Sequence, residues 1–253
     1  MSRISFMSAN YVAREVGYAM HGWGHGDRAT NDAFRPLETY AGKLDELLAD
    51  VRRVGFDEID VWGAHLNPVW ATDEHVSVAC ELLARHGLKV ASYEIFIGEE
   101  HVERACEIAV ALGTTVIAGF APVEATPLYR ERGLRLGVEN HPEATPGELL
   151  ARAGENGVTV DTGWFATQAY DPARAIEELA DRIVHVHLKD VLHPGEPHET
   201  CPWGRGIVDV EACLDALASV GYTGAISVEH EPEHEDPSED CRAMAAELRE
   251  WLA

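Results

Sequence analysis

Four side chains in the second half of the chain are of the types that can share a divalent cation. They are Glu139 in "GVENHP", Asp161 in "VDTGW", His187 in "HVHLKD" and Glu229 in "AISVEHEP". Each stands at the end of a short β-prone run. Three carboxylates and an imidazole facing one cavity would repel one another and resist desolvation unless a counter-charge joined them, and a divalent cation supplies it. An oxygen-rich set with a single nitrogen suits Mn²⁺ first, Mg²⁺ or Co²⁺ next, and Zn²⁺ least. Such a centre can hold a carbonyl oxygen and a neighbouring hydroxyl, and so favour the enediolate formed when an adjacent C–H loses its proton.

These four residues can meet only if their strands lie side by side. Eight β-prone runs are predicted, at 4–11, 56–62, 89–96, 115–120, 134–140, 158–163, 183–190 and 225–231. They alternate with amphipathic segments at 37–54, 73–86, 99–112, 125–132, 146–154, 171–182, 209–220 and 237–252. Cap-like openings occur at Thr72, Thr145, Asp171 and Asp236, and several segments close on glycine, as at Gly55, Gly87, Gly113 and Gly221. Eight repeated strand–helix units without a linker predict one domain over 1–253, an α/β fold of the (β/α)8 TIM-barrel type.

Strand side chains alternate between faces. On the last four strands one row is apolar: Val138, then Val158 and Val160, then Val184, Val186 and Leu188, then Ile226 and Val228. The other row carries Glu139, Asp161, His187 and Glu229 near the strands' C-terminal ends, the rim where such barrels collect catalytic groups. Any one of these residues alone would equally well serve a local ion pair. Four on the same row of successive strands argue for a shared site.

Composition narrows the functions. The 253 residues are 46% hydrophobic, enough for a large core, and 20 Lys plus Arg face 44 Asp plus Glu for a formal net charge of −24. That field disfavours a nucleic-acid partner. No apolar run approaches membrane-helix length, so the expectation is a soluble, cytoplasmic protein without a membrane partner. Five cysteines with no Cys-x-x-Cys spacing read as reduced structural thiols. The acidic run "AISVEHEPEHEDPSEDC" at 225–241 divides into a buried strand ending at Glu229, a rim loop, and the start of the last helix, where acidic groups face the positive end of the dipole.

With "GVENHP", "VDTGW", "HVHLKD", "GRGIVDVEACLDAL" and "GYTGAISVEHEP" in this order, the chain resembles the xylose isomerase-like barrel superfamily of sugar isomerases and epimerases, inosose dehydratases and apurinic-site endonucleases. The resemblance implies that Glu139, Asp161, His187 and Glu229 are metal ligands. From the ketose-epimerase branch it further implies that Glu139 and Glu229 act as acid and base on opposite faces of the substrate. The epimerase and endonuclease branches usually place a histidine three residues after the aspartate, and here Trp164 stands in its place. That departure speaks against DNA repair and against the usual ketose contacts.

The expected function is a metal-dependent sugar isomerase or epimerase working by proton abstraction next to a carbonyl. The alternatives are a lyase or dehydratase that expels a β-substituent from a 3-keto-glycoside or inosose, and a non-catalytic sugar-binding barrel. The partner is a small sugar or keto-sugar, and homo-oligomers are common in the resembling family. Substrate contacts are expected from His141 and Lys189, one pleat beyond their ligands, and from Trp164, an aromatic wall. Further candidates are Trp62 and His65 after the second strand, Arg205 in "PHETCPWGRG", which also offers His198 and Trp203, and Trp23. Trp23 lies in the Gly-rich stretch at 18–32, expected to be a loop and lid over the rim, alongside His21 and His25.

Overall fold

In the computed structural model, which describes residues 2–253, all eight β-prone runs form strands. They are β1 (Arg3–Met7), β2 (Glu58–Trp62), β3 (Lys89–Phe96), β4 (Val116–Phe120), β5 (Arg135–Glu139), β6 (Gly157–Asp161) and β7 (Ile183–Leu188), with β10 (Ala225–Val228) as the eighth. A two-residue clasp of β8 (Asp190–Val191) and β9 (Thr200–Cys201) intervenes between the last two. The eight pair in parallel and close in the order β1-β10-β7-β6-β5-β4-β3-β2, a (β/α)8 barrel.

The helices are α1 (Trp23–Phe34), α2 (Leu37–Val54), α3 (Asp73–His86), α4 (Val102–Leu112), α5 (Thr126–Glu131), α6 (Pro146–Ala153), α7 (Thr162–Thr167), α8 (Pro172–Leu179), α9 (Val210–Ser219) and α10 (Ser238–Leu252). Thr72 and Thr145 close capping boxes with His75 and Glu148, and Asp171 accepts the Ala173 and Arg174 N–H groups. Among the described residues no helix is long and apolar enough to cross a membrane. All five cysteines are free.

The apolar rows follow the alternation at Val138, Val158, Val160, Val186, Leu188, Ile226 and Val228, all in the core, but not at Val184, which is half-buried and outside it because the β6–β7 register shifts there. Asn140 shares that row yet serves a different end. Its Nδ2 donates to the Asp161 carbonyl at 2.9 Å and its Oδ1 accepts the Asp161 N–H at 2.7 Å, tying the ends of β5 and β6 together.

Several stretches depart from expectation, among them the first and last strands, which stop at Met7 and Val228, short of 11 and 231. Of the stretch 18–32, expected as loop and lid, residues from Trp23 onward are helical, in a helix that runs to Phe34 despite two glycines, which ordinarily disfavour a helix. Gly26 packs so closely on the preceding segment that any Cβ would collide with the Val12 carbonyl and the Met20 sulfur. β6 stops at Asp161 instead of 163, because the Asp161 carboxylate accepts the Trp164 N–H at 2.9 Å and so caps α7. β7 stops at Leu188, and Asp190 turns aside into the clasp with Cys201.

Below the rim the barrel is filled by hydroxyls and charges. The Asp60 carboxylate accepts Ser92 Oγ at 2.7 Å and Ser227 Oγ, with His185 Nε2 3.2 Å away. Burial raises the Asp60 carboxyl, but the facing His185 and the hydroxyl donors outweigh it and hold the group ionised.

Candidate active site

Four adjacent strands, β5-β6-β7-β10, deliver the four sequence-selected residues to one place. Glu139 ends β5, Asp161 ends β6, His187 lies on β7, and Glu229 follows β10 directly. Register sets Asp161 and Ser227 level with His187 on its two sides. One ligand atom from each of the four lies within 4.8 Å of the others, and all four residues are buried. His187 Nδ1 is 2.8 Å from Glu139 Oε1 and 3.1 Å from Glu229 Oε2, so the glutamates at the two ends of the arc converge on a single nitrogen.

Lys189 completes the cluster. It is 2% exposed, and its Nζ stands 3.0 Å from Asp161 Oδ2, 3.0 Å from Glu229 Oε1 and 3.3 Å from Glu231 Oε2. Thr162 holds its backbone: Oγ1 donates to the Lys189 carbonyl at 2.7 Å and accepts the Lys189 N–H at 2.9 Å. Glu94, on β3, faces the other side of His187, with Oε1 3.6 Å from Nε2.

The charges are strongly coupled. Burial opposes the charged form of His187, but Glu229, Glu94 and Glu139 together raise its pKa well above the usual imidazole value. Burial likewise opposes the Lys189 ammonium, and Asp161, Glu229 and Glu231 more than restore it. Glu229, raised by burial, is drawn below the ordinary carboxylate range by Lys189 and His187. Asp161 goes the other way, pushed up to about 6 by burial and by the neighbouring glutamates, against the pull of Lys189. The physical reason is a surplus of acid: Glu94, Glu139, Asp161, Glu229 and Glu231 share the cations of only His187 and Lys189, and Asp161 and Glu231 are the carboxyls pushed up as a result.

That surplus fits a divalent cation. Asp161 Oδ2 and Glu229 Oε2 are buried with no hydrogen-bond partner, for the cationic nitrogens beside them are close without being aligned. Orphaned carboxylate oxygens are costly in a closed interior and are the donors a hard cation uses.

Above the cluster opens a cavity of about 850 Å³, within the roughly 300–1,000 Å³ span of small-molecule sites. Glu139, His187, Lys189 and Glu229 line its floor, and Trp23, Trp62, His141 and Trp164 its walls. Trp164 lies between two imidazoles, its ring 3.7 Å from His141 and 3.9 Å from His198. Burial depresses the His198 pKa to about 3, so this ring is neutral.

Two expected substrate contacts lie elsewhere. His65 is buried beside the barrel, with Nδ1 3.0 Å from Ser8 Oγ and its ring 4.7 Å from Phe34, because the turn at Gly63–His65 folds it back from the rim. Arg205 is exposed and does not line the cavity. Its neighbours explain this: the Asp190 carboxylate accepts the N–H groups of Gly204 (3.1 Å), Gly206 (2.9 Å) and Val208 (2.9 Å), holding the backbone inward and leaving the arginine side chain outside.

Glu94 and Phe96 were not among the predicted site residues, yet both line the cavity. The signal was present, since Ser92, Glu94 and Phe96 alternate with apolar Tyr93 and Ile95 on β3.

The chain belongs to the xylose isomerase-like TIM barrel family, whose model matches residues 48–252. L-ribulose-5-phosphate 3-epimerase UlaE of Escherichia coli is 39% identical over 92 residues, which are 36% of this chain and 31% of that protein. Matched segments thus span well under half the length of the curated relatives, 31–40% of them. Among solved structures, the probable 3-DHS dehydratase AsbF of Bacillus anthracis superposes with a TM-score of 0.70 at 15% identity, covering 98% of both chains. D-allulose 3-epimerase from Methylomonas sp., in complex with D-allulose, gives 0.67 at 17% identity, covering 99% of this chain and 98% of that one. At these identities the likeness is one of fold.

Proposed function

We propose that the protein is a divalent-metal-dependent sugar isomerase or epimerase that removes a proton next to a carbonyl. The observation that carries the reading is the convergence of Glu139 and Glu229 on His187 Nδ1 beside two orphaned carboxylate oxygens, at the C-terminal rim of a family barrel.

Glu139, Asp161, His187 and Glu229 would hold the cation, with Mn²⁺ the first choice for this donor set. When bound, the cation supplies Lewis-acid stabilisation of negative charge developing on the substrate's oxygens. Glu139 and Glu229 reach the site from opposite ends of the strand arc, so one can take the C–H proton while the other returns it. Lys189 keeps Glu229 ionised and oriented, and lies where its ammonium can donate to a substrate oxygen.

Deuterium incorporation by the Mn²⁺-loaded protein, screened across keto-sugars, inososes and 3-keto-glycosides by nuclear magnetic resonance, tests this. A labelled sugar isomer is expected, and Glu139→Gln or Glu229→Gln should slow exchange by about 10²–10⁴. An unsaturated product absorbing in the ultraviolet would instead establish elimination from the same enolate. The aromatic stack around Trp164 is the one feature favouring that second reading.

A further inference from the structure

The rings in the walls above the carboxylate floor join into one chain through Phe120, which does not itself line the cavity. Trp62 meets Trp23 at 5.4 Å, Trp23 meets Phe96 at 6.4 Å, and Phe96 stacks on Phe120 at 4.5 Å. Phe120 meets His141 at 5.6 Å, and His141 leads on through Trp164 to His198. Much of this apolar surface is open at the mouth: Phe96 is 56% and Trp23 37% exposed. Large aromatic faces left in water beside a polar floor are a feature that ligand binding relieves.

The charge of the cavity is as one-sided as its walls. Eight glutamates line it, at 94, 139, 196, 199, 229, 231, 233 and 235, and among the described residues Lys189 is its only lining lysine or arginine. That lysine is already shared among three carboxylates. A phosphate dianion entering here would meet acids at the rim and no free cation or guanidinium fork. The cavity, at about 850 Å³, is also sized for a ligand well beyond a free monosaccharide of about twelve heavy atoms.

We propose that the substrate is an unphosphorylated sugar bearing a planar aromatic substituent, with the sugar on the carboxylate floor and the arene against the exposed rings of Trp23 and Phe96 at the mouth of the cavity. The inference rests on the sugar-enzyme reading and adds the substrate class to it. Phe96 ends β3 and Trp23 opens α1, so the arene is gripped at the mouth from two elements while the reacting carbon lies below, beside Glu139 and Glu229.

The test is calorimetric titration of the Mn²⁺-loaded protein with three probes: 4-nitrophenyl β-D-glucopyranoside, methyl β-D-glucopyranoside and glucose 6-phosphate. The aryl glucoside should bind about tenfold or more tighter than the methyl glucoside, as stacking on two rings predicts, and the phosphate weakest. Trp23→Ala and Phe96→Ala should each remove most of the aryl preference while leaving the Mn²⁺ stoichiometry unchanged. Phe96, exposed at the mouth, gives a variant whose folding is not at risk. Equal binding of the aryl and methyl glucosides, no binding of any probe, or preference for the phosphate overturns the proposal. Failure of the enzyme reading looks different: aryl preference without proton exchange on any keto-sugar sinks proton-abstraction chemistry alone, whereas exchange on small or phosphorylated sugars without aryl preference sinks the present proposal alone.

Discussion

Lys189 Nζ lies 3.0 Å from both Asp161 Oδ2 and Glu229 Oε1, so a buried ammonium sits against two of the four residues that would bind the cation. With His187 it supplies the positive charge that offsets the acidic floor when no divalent ion is bound. Lys189→Met should therefore destabilise the metal-free protein by about 3–5 kcal/mol, the cost of leaving buried charges uncompensated. Added Mn²⁺ should raise the melting temperature more in the variant than in the wild type. Equal melting temperatures without metal would show that the lysine does not carry this role.

Asp190 organises the rim segment that follows β9. Its carboxylate accepts the N–H groups of Val191, Gly204, Gly206 and Val208, and Gly206 approaches so closely that a Cβ would overlap the carboxylate. Asp190→Ala should cost about 3 kcal/mol or more, since several charge-assisted bonds go and their donors are left behind. Limited proteolysis should cut the variant within 202–208 faster than the wild type. An unchanged cleavage pattern would mean that the segment is held by other contacts.

Acid should weaken the fold through His65. Burial, helped by Arg14, depresses its pKa from 6.5 to about 3, so the folded protein keeps this ring neutral while the unfolded chain protonates it below about 6.5. Protons then bind preferentially to the unfolded state, and the stability due to neutral His65 is lost as pH falls from about 6.5 toward 3. Asp161 and Glu231, raised to about 6 and about 7, act with the opposite sign, so the comparison must be between variants. The urea midpoint of His65→Gln should fall less between pH 7 and 5 than that of the wild type. Parallel declines would contradict the assignment.

The strand alternation made the floor legible because it is a local rule: a carboxylate at the end of a strand inherits its direction from the residues beneath it. Glu139, Asp161, His187 and Glu229 obey it, and Glu94 obeys it equally, between Tyr93 and Ile95. Helices α2 and α3 were readable for a similar reason, both closing on a left-handed glycine and α3 opening on a Thr72 capping box. Beyond the strand ends the rule lapses. Whether His65 or Arg205 faces the cavity depends on the path of a loop, set by Ser8 and Phe34 in one case and by Asp190 in the other, residues far away in the chain. Helix α1 was hidden by Gly24 and Gly26, since glycine selected for close packing reads locally as loop.

Because Arg205 points away from the cavity, Arg205→Ala should leave the affinity for aryl and methyl glucosides within about twofold of the wild type, the scale of surface substitutions. A tenfold loss measured by the same calorimetry would place the guanidinium at the ligand after all.

Glu229, alone among the acids of the run 229–240, would serve as both cation ligand and proton-transfer group. That double role is tested most directly by metal analysis of dialysed, Mn²⁺-reconstituted protein beside solvent-deuterium exchange for Glu229→Gln and Glu233→Gln. Glu233 lies on the same rim and lines the same cavity without joining the buried cluster. About one Mn²⁺ per chain and full exchange are expected for the wild type and Glu233→Gln, with both lost in Glu229→Gln. Wild-type protein that takes up no divalent ion, or Glu229→Gln that keeps metal and exchange alike, would contradict it.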